Sequence, residues 1–246
     1  MSTSKSHGLM ARLNALTTLR WAKIGQSTKQ IDLWYAVGMK YLILICLMFL
    51  GCGRWGVVEK PSWRGFKKVT LPEGWRMEDG VLTHTKGGGD IVTNKQYQDF
   101  VLELDWKIEE GGNSGIFFHV SEDHDHVWLG GPEMQVLDNE AHKDAMRPET
   151  SAGSNYALHA PIKDVTKPVG EWNHVKLLVD GAHVEHWLNG TKLLEYDLWS
   201  DDWKRRVAAS KFRDMPDYGM NKIGHIALQD HGDIVSYRNI TITTKN

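Results

Sequence analysis

Two short groups of polar side chains are spaced so that their acidic, basic and amide groups can point from the same face of a strand. Glu133 and Gln135 lie two positions apart in an apolar stretch, and Asp138 follows its end. Gln229 and His231 form a similar pair nearer the carboxyl terminus. Residues two apart on a strand point from the same face, and carboxyl and imidazole groups move protons while amides bind oxygen atoms. We therefore predict that these five residues line one cavity.

Other roles for these polar residues stay open at this point. Glu133 and Gln135 also fit a polar outer strand face, and His231 fits a turn residue whose ring caps a strand end. Asn113 and Ser114 lie in a glycine-rich turn that enters an apolar strand. Their short side chains can hydrogen-bond the hydroxyl groups of a ligand or only satisfy the turn.

A row of acidic residues needs separate consideration, because a retaining glycosidase places two carboxyl groups about 5 Å apart. Glu103, Asp105, Lys107 and Glu109 share one face of the alternating stretch that includes Phe100–Ile108. A retaining glycosidase that carries its catalytic acids along one strand needs an acid at the position that Lys107 occupies here. We therefore predict a solvated or cross-strand charge ladder rather than a nucleophile and its acid partner.

These side chains must be carried by many short strands. Asp79-Gly80, Asp180-Gly181 and Asn189-Gly190 are two-residue turns flanked by alternating apolar residues, the strongest local indication of β-hairpins. Alternation predicts strands over residues 81–84, 100–108, 115–120, 133–137, 155–159, 172–179, 182–188, 192–196, 223–229 and 234–243, and a helix over 201–211. The predicted fold class is all-β: a two-sheet antiparallel sandwich or jelly roll of the concanavalin A-like lectin/glucanase kind, with one short helix.

Composition and charge exclude several classes of protein. With 41% hydrophobic and 24% charged residues, the chain is neither disordered nor a multi-pass membrane protein. The first 40 residues hold six of the 29 basic and one of the 31 acidic residues, so the remainder is acidic and no nucleic acid partner is expected. Cys46 and Cys52 are the only thiols, which excludes a disulfide framework or a CxxC zinc site in the body of the chain.

The front of the chain has the order of a bacterial export signal. The ten apolar residues from Tyr41 to Leu50 are too few for a membrane-spanning helix and have the length of a signal-peptide hydrophobic region. Met39 and Lys40 directly precede this run, and Gly51-Cys52 closes it as in a lipoprotein lipobox. The alternative is a buried helix or strand that ends in a glycine turn.

This order sets the predicted domains. Residues 1–38 are interpreted as a mis-assigned extension, 39–52 as a lipoprotein signal peptide, and 53–246 as a single sandwich domain. The expected location is outside the cytoplasm, in the periplasm or at the cell surface, with an acyl group on Cys52 as the only link to a membrane.

Five stretches of the chain resemble, in the same order, the bacterial 3-keto-disaccharide hydrolase family. They are residues 111–119, 133–139, 170–173, 186–190, and 228–232 followed by 237–240. The resemblance covers residues 63–243, nearly the whole chain after Cys52. It implies a lectin/glucanase-like sandwich and hydrolysis of glycosides whose sugar carries a ketone at C3.

A ketone at C3 acidifies the hydrogen at C2, so the C1 substituent can leave by elimination before water adds back. The enzyme must then supply a base, a group that stabilises the enolate, and an acid for the leaving oxygen. The expected catalytic residues are His231, Glu133 and Asp138, with either His231 or Glu133 as the base.

Substrate contacts are expected from a second set of residues. They are Gln135, Gln229, Asn113, Ser114, His119 and Trp128. His119 stands where many relatives carry arginine. Trp128, in the loop over residues 121–131, is the candidate platform on which a sugar ring stacks, whereas the other tryptophans are expected in the core.

The expected partner is a carbohydrate, and a separate sugar 3-oxidase must make its ketone. A non-catalytic, lectin-like carbohydrate-binding module is the alternative, because the same fold serves both functions. No cofactor is assigned. His124 and His126 lie in a polar loop, and His183 and His186 would point to opposite strand faces. Lectin-like sandwiches can hold Ca²⁺ through carboxylate and carbonyl oxygens, but no EF-hand loop or comparable pattern is present, so a divalent metal such as Ca²⁺ stays unassigned.

Overall fold

The computed structural model describes residues 55–245, so the predicted signal peptide and Cys52 lie outside the described residues. The described strands are β1 (Trp55–Glu59), β2 (Trp63–Gly65), β3 (Trp75–Glu78), β4 (Val81–His84), β5 (Ile91–Thr93), β6 (Phe100–Ile108), β7 (Asn113–Val120), β8 (Glu133–Leu137), β9 (Asn173–Asp180), β10 (His183–Leu188), β11 (Thr191–Asp197), β12 (His225–Leu228) and β13 (Val235–Lys245). The α-helix is α1 (Asp201–Ala209), and short 3-10 helices cover Val127–Leu129, Lys143–Met146 and Pro148–Thr150.

The strands form two antiparallel sheets. The eight-stranded sheet has the order β11-β10-β9-β6-β13-β4-β3, with β1 also paired to β13. The five-stranded sheet has the order β2-β5-β12-β7-β8. This arrangement confirms the all-β sandwich with one short helix. Among the residues that the structure describes, no helix has the length and apolar character needed to cross a membrane.

The eight-stranded sheet has one face toward the core and one toward solvent. Along β6 the burial alternates strictly, with Phe100, Leu102, Leu104, Trp106 and Ile108 inside. Period-two alternation is what a sheet with one covered face requires.

The acidic row of β6 lies on the outer face of this sheet. Asp105 accepts hydrogen bonds from His174 Nδ1 at 2.9 Å, from Arg238 Nε at 3.1 Å and from Asn239 Nδ2 at 2.8 Å. Glu103 lies 3.8 Å from the same imidazole. These contacts join β6 to its neighbours β9 and β13, as the charge-ladder interpretation predicted.

The five-stranded sheet is covered on both faces. Every residue of β7, β8 and β12 is buried. One face packs on the main core, while Val92, Phe117, Ala227 and Val127 form a separate apolar cluster on the other. The run His225–Leu228 is nearly continuous in apolar residues for this reason, whereas Glu133–Leu137 carries its two polar residues on the face away from the main core.

Two of the three predicted hairpin turns have the expected backbone. Both residues of Asp79-Gly80 and of Asn189-Gly190 have positive φ, as a type I′ turn requires. The third turn differs. Asp180 pairs with His183 as the last residue of β9, so the turn consists of Gly181 and Ala182, with Gly181 at φ 60°.

The predicted strand over residues 155–159 is wrong. Asn155 N donates to His159 O and His159 N donates back to Asn155 O, so the chain folds on itself there. The four strands β1, β2, β3 and β5, each of five residues or fewer, were not predicted.

Candidate active site

The pairing of the five-stranded sheet sets which side chains face outward together. Leu228 lies opposite both Ile91 and Ile116, and Ile116 lies opposite Met134. These four residues form one row across four strands, and all belong to the main core. Neighbouring rows must therefore point to the other face, because successive side chains alternate.

The next row holds the polar residues. The same register, continued by one residue, aligns Asp90, Gln229, Gly115 and Gln135 across β5, β12, β7 and β8. Gln229 N donates to Gly115 O at 3.0 Å, which fixes this alignment. Gly115 has no side chain, so it leaves a gap in the row between the two glutamines.

A cavity of about 510 Å³ opens over this row. Six of its lining residues were predicted as site residues: Asn113, Trp128, Glu133, Gln135, Gln229 and His231. The others are Gly89, Asp90, His126, Tyr156, Lys211 and Asp230. Four of the five residues that were expected to converge therefore do so.

Glu133 is the most deeply placed carboxyl group of the cavity, with 7% of the residue exposed. Its side chain leans over Gly115: a Cβ atom there would lie 2.3 Å from Glu133 Oε1. Burial raises the pKa of Glu133 to about 8, and the negative charges of Asp90 and Asp144 add to this shift while Lys211 opposes it. At neutral pH the carboxyl group is therefore mostly protonated and can donate a proton.

Asp90 stands at the other end of the row, directly before β5. Its Oδ1 accepts a hydrogen bond from Asp230 N at 2.9 Å. Burial raises the pKa of Asp90 to about 6 against the effect of this bond, and the charge of Asp230 raises it further, whereas His126 and His231 lower it. The carboxyl group is therefore ionised in most molecules at neutral pH.

Asp230, beside Asp90, is held by three contacts. It accepts from Gly89 N at 2.8 Å and from Gly232 N at 3.0 Å. His84 Nε2 lies 3.0 Å from its Oδ1. These contacts fix the two loops that carry Gly89 and Gly232, so Asp230 shapes the wall of the cavity.

His231 and Asn113 are neighbours on the same side. His231 Nε2 lies 3.4 Å from Asn113 Nδ2, and His231 Nδ1 lies 3.8 Å from an oxygen of Asp233. The imidazole is about half exposed, whereas Asn113 is buried. Asn113 Oδ1 is buried and has no hydrogen-bond partner among the described residues. This amide oxygen, beside the cavity, can therefore still accept a hydrogen bond.

Two aromatic rings form a platform at the cavity edge. Trp128 stacks on His126 with ring centroids 5.2 Å apart and an angle of 10° between the planes. Trp128 is 37% exposed, an unusual degree for a large apolar ring. The sequence predicted Trp128 at this place, whereas His126 was considered only as a metal ligand.

Lys211 and Tyr156 lie on the side of Glu133. Lys211 Nζ is 4.2 Å from the centroid of the Tyr156 ring, and the Tyr156 hydroxyl donates to Asp144 Oδ2 at 3.1 Å. The next residue, Phe212, stacks on Tyr218 at 3.8 Å, which anchors the segment after α1. No motif marks Lys211 or Asp90 in the sequence, since only the tertiary fold brings them to the cavity.

Asp138, which was expected to be catalytic, lies outside this cavity. Its Oδ2 accepts from Gly111 N at 2.7 Å, and its Oδ1 accepts from Glu140 N at 3.0 Å. It lines a separate hollow of about 150 Å³. The carboxylate holds two loops in place, because it lies past the end of β8 where the chain turns away.

Ser114 and His119 also lie elsewhere. Ser114 Oγ donates to Gln229 O and contacts the Tyr237 hydroxyl, each at 2.8 Å, so it points between the sheets. His119 is buried with Nε2 2.8 Å from Gln98 O, and its φ of 53° marks an irregularity in the pairing of β7. A positive φ turns its side chain away from the alternation that the strand pattern assumed.

One group of side chains in the described part of the chain has the spacing of metal ligands. This group brings three ligand atoms within 4.8 Å of one another: His183, Glu185 and Glu195. Lys192 Nζ already contacts both carboxyl groups, at 3.3 and 2.7 Å. His186 is fully buried while His183 is partly exposed, in keeping with their predicted opposite faces.

Comparison with known proteins agrees with this picture. Residues 59–243 match the model of a 3-keto-alpha-glucoside-1,2-lyase-like domain. A 3-keto-disaccharide hydrolase of Bacteroides thetaiotaomicron is 35% identical over 213 residues, which are 74% of this chain and 73% of the relative.

Two crystal structures from Parabacteroides distasonis, both provisionally assigned as glycosyl hydrolases, are similar in fold. The first has a TM-score of 0.70 at 36% identity and covers 75% of this chain and 88% of its own. The second has a TM-score of 0.60 at 28% identity and covers 74% and 99%. From the matched domain, the curated relative and the shared sandwich together, the chain is a glycoside-cleaving enzyme that belongs to the 3-keto-disaccharide hydrolase family.

Proposed function

We propose that the chain hydrolyses glycosides whose sugar carries a ketone at C3, by removing the proton at C2 so that the C1 substituent is eliminated and water then adds. The observation that carries this proposal is the buried Glu133 carboxyl group over Gly115, in a cavity lined by amides. Such chemistry needs a proton donor in a site that also binds an enolate.

Glu133 is the proton donor for the leaving oxygen. Its pKa of about 8 keeps the proton on the carboxyl group at neutral pH, which the departing oxygen needs. Lys211, on the same side, opposes that rise in pKa.

The amides and the aromatic platform bind the sugar. Gln229 and Asn113 present amide groups to the cavity, where hydroxyl groups and the ketone oxygen need partners. Gln135 lines the floor, with its own amide bonded to Thr150 O and Val136 N. Trp128 offers an exposed ring face for stacking. With Glu133 as the acid, the base belongs to the opposite wall, which holds His231 and Asp90.

The test is an assay of the purified protein on 3-keto-glucosides beside the unoxidised glucosides. Turnover of the keto substrates alone, with solvent deuterium entering C2 of the released sugar in D₂O, supports the proposal. Binding of sugars without turnover would instead favour the lectin-like alternative. A C2 position that stays unlabelled, when free keto sugar does not exchange, would contradict the elimination route.

We further propose that the enzyme is exported, anchored through a lipid on Cys52, and supplied with substrate by a separate sugar 3-oxidase. The support is the order Met39-Lys40, apolar run and Gly51-Cys52 in the sequence. Cys52→Ala should release the protein from the membrane fraction. Intact-mass analysis that finds residues 1–38 on the native protein would contradict this proposal.

A further inference from the structure

Asp90 is a cavity residue for which the sequence offered no role. It lies directly before β5, and its backbone carbonyl accepts from Phe66 N at 2.8 Å, which fixes the main chain. Its side chain shares the outward row with Gln229, the gap at Gly115 and Gln135. The carboxyl group of Glu133 fills the gap over Gly115, so it and Asp90 stand on either side of Gln229.

The spacing of the strands gives the distance between the stretches of backbone that lie beneath these two carboxyl groups. Two intervals of about 4.8 Å separate the strand of Asp90 from that of Gly115, so about 10 Å lie between their backbones. Glu133 Oε1 overhangs Gly115, and the Asp90 side chain extends from the far strand. Both residues line the same cavity.

Of the groups on that wall, Asp90 is the one whose carboxylate has an oxygen that accepts no hydrogen bond from the described residues. Asp230 is held by Gly89 N, Gly232 N and His84. Asp90 receives one hydrogen bond within the described residues, from Asp230 N to Oδ1, so its second oxygen is available. His231 is about half exposed and lies against the Asn113 amide.

We propose that Asp90 is the catalytic base that takes the C2 proton, opposite Glu133 as the acid, and that His231 contacts the oxygen at C3. This assignment rests on the proposed 3-keto-glycoside hydrolysis and names the group that performs its first step. The sequence left the base open between His231 and Glu133, and this assignment replaces both by a carboxylate fixed in the row of the cavity floor.

Asp90 and Glu133 each transfer a proton in both halves of the reaction. Asp90 accepts the proton from C2, and the C–H electron pair forms the enolate of the C3 ketone. As the enolate collapses, the C3 carbonyl is restored, a C1–C2 double bond forms, and the C1–O bond breaks with its pair on the leaving oxygen, which takes the proton of Glu133. Water then adds at C1, giving its proton to Glu133, and Asp90 returns a proton to C2.

The decisive experiment compares Asp90→Asn with Glu133→Gln on two 3-keto-glucosides, one with a 4-nitrophenyl and one with a methyl aglycone. Asp90→Asn should lower turnover of both equally, by about 10²- to 10⁴-fold, since base removal costs that much. Glu133→Gln should spare the nitrophenyl substrate, because nitrophenolate leaves without an acid. Deuterium exchange at C2 of bound 3-keto-glucose in D₂O, corrected for the free sugar, should persist in Glu133→Gln and vanish in Asp90→Asn.

The controls separate this assignment from folding and from the proposed function. The asparagine keeps an oxygen to accept from Asp230 N, so the unfolding temperature of Asp90→Asn should stay near that of the wild type. Asp125→Asn, in an exposed side chain outside the cavity lining, should leave turnover unchanged. If Asp90→Asn keeps turnover and exchange while His231→Gln loses both, the assignment to Asp90 is overturned alone. A wild type that leaves 3-keto-glucosides intact overturns the proposed function, and this assignment with it.

Discussion

Gly115 and Glu133 fit together in the centre of the cavity: a Cβ atom on Gly115 would lie 2.3 Å from Glu133 Oε1. No real Cβ contact is that short, so the carboxyl group has its position because residue 115 has no side chain. The glycine-rich stretch at residues 111–115 therefore has a purpose beyond the turn that it makes. Gly115, the last glycine of this stretch, leaves the space that the carboxyl group of Glu133 occupies over the cavity floor.

Gly115→Ala should lower both activity and stability. The nearest atom is Glu133 Oε1, which must move and so displaces the acid, and the new Cβ would also lie 2.9 Å from Cε2 of the buried Phe117 ring. A displacement of about 1 Å costs on the order of 10²-fold in rate. Steady-state kinetics on a 3-keto-glucoside and a thermal unfolding curve check both parts. An active Gly115→Ala enzyme would contradict the proposed position of the acid.

The pH dependence should be bell-shaped. Activity should rise with pH through about 6, as Asp90 loses its proton, and fall through about 8, as Glu133 loses its own. The charged groups that act on the two are Asp230, His126 and His231 for Asp90, and Lys211, Asp144 and Asp90 for Glu133. A profile of kcat/KM against pH measures both limbs.

The two limbs should respond to different substitutions. Asp90→Asn should remove the acidic limb from the residual activity, whereas Glu133→Gln should remove the alkaline limb with the nitrophenyl substrate. A profile that keeps its alkaline limb in Glu133→Gln would show that another group supplies the proton.

Burial of Glu133 should also weaken the fold as pH rises. Its pKa is about 8 in the folded chain against 4.5 for an unperturbed glutamate, so between these values the folded state holds a proton that the unfolded state releases. The free energy of unfolding therefore falls across that window as pH increases. Glu133→Gln has no proton to lose and should be more stable than the wild type at pH 8, with a smaller difference at pH 5, as thermal unfolding at the two pH values would reveal.

The acidic row of β6 should be dispensable for catalysis. Glu103→Gln removes an exposed partner of His174, a contact worth about 0 to 1 kcal/mol at most, and it touches no part of the cavity. Turnover should therefore stay near that of the wild type. Loss of turnover in a folded Glu103→Gln protein would restore the retaining-glycosidase interpretation.

Local periodicity in the sequence was sufficient for the sandwich and much of the site. Strict alternation over Phe100–Ile108 predicted a strand with one solvent face, and the structure has that strand at the same residues. The spacing of Glu133 and Gln135, and the position of Trp128, led to residues that do line the cavity. Such features are local, because a strand's alternation follows from its own residues.

Only the tertiary structure decided which distant residues meet. Asp90, Tyr156 and Lys211 come from three separate segments, and the register of β5, β12, β7 and β8 or the packing after α1 brings them together. Asp138 and His119 lie elsewhere because a turn past a strand end and a positive φ break the alternation that placed them. Register and burial depend on contacts far apart in sequence, so the pKa values that divide acid from base are properties of the folded chain.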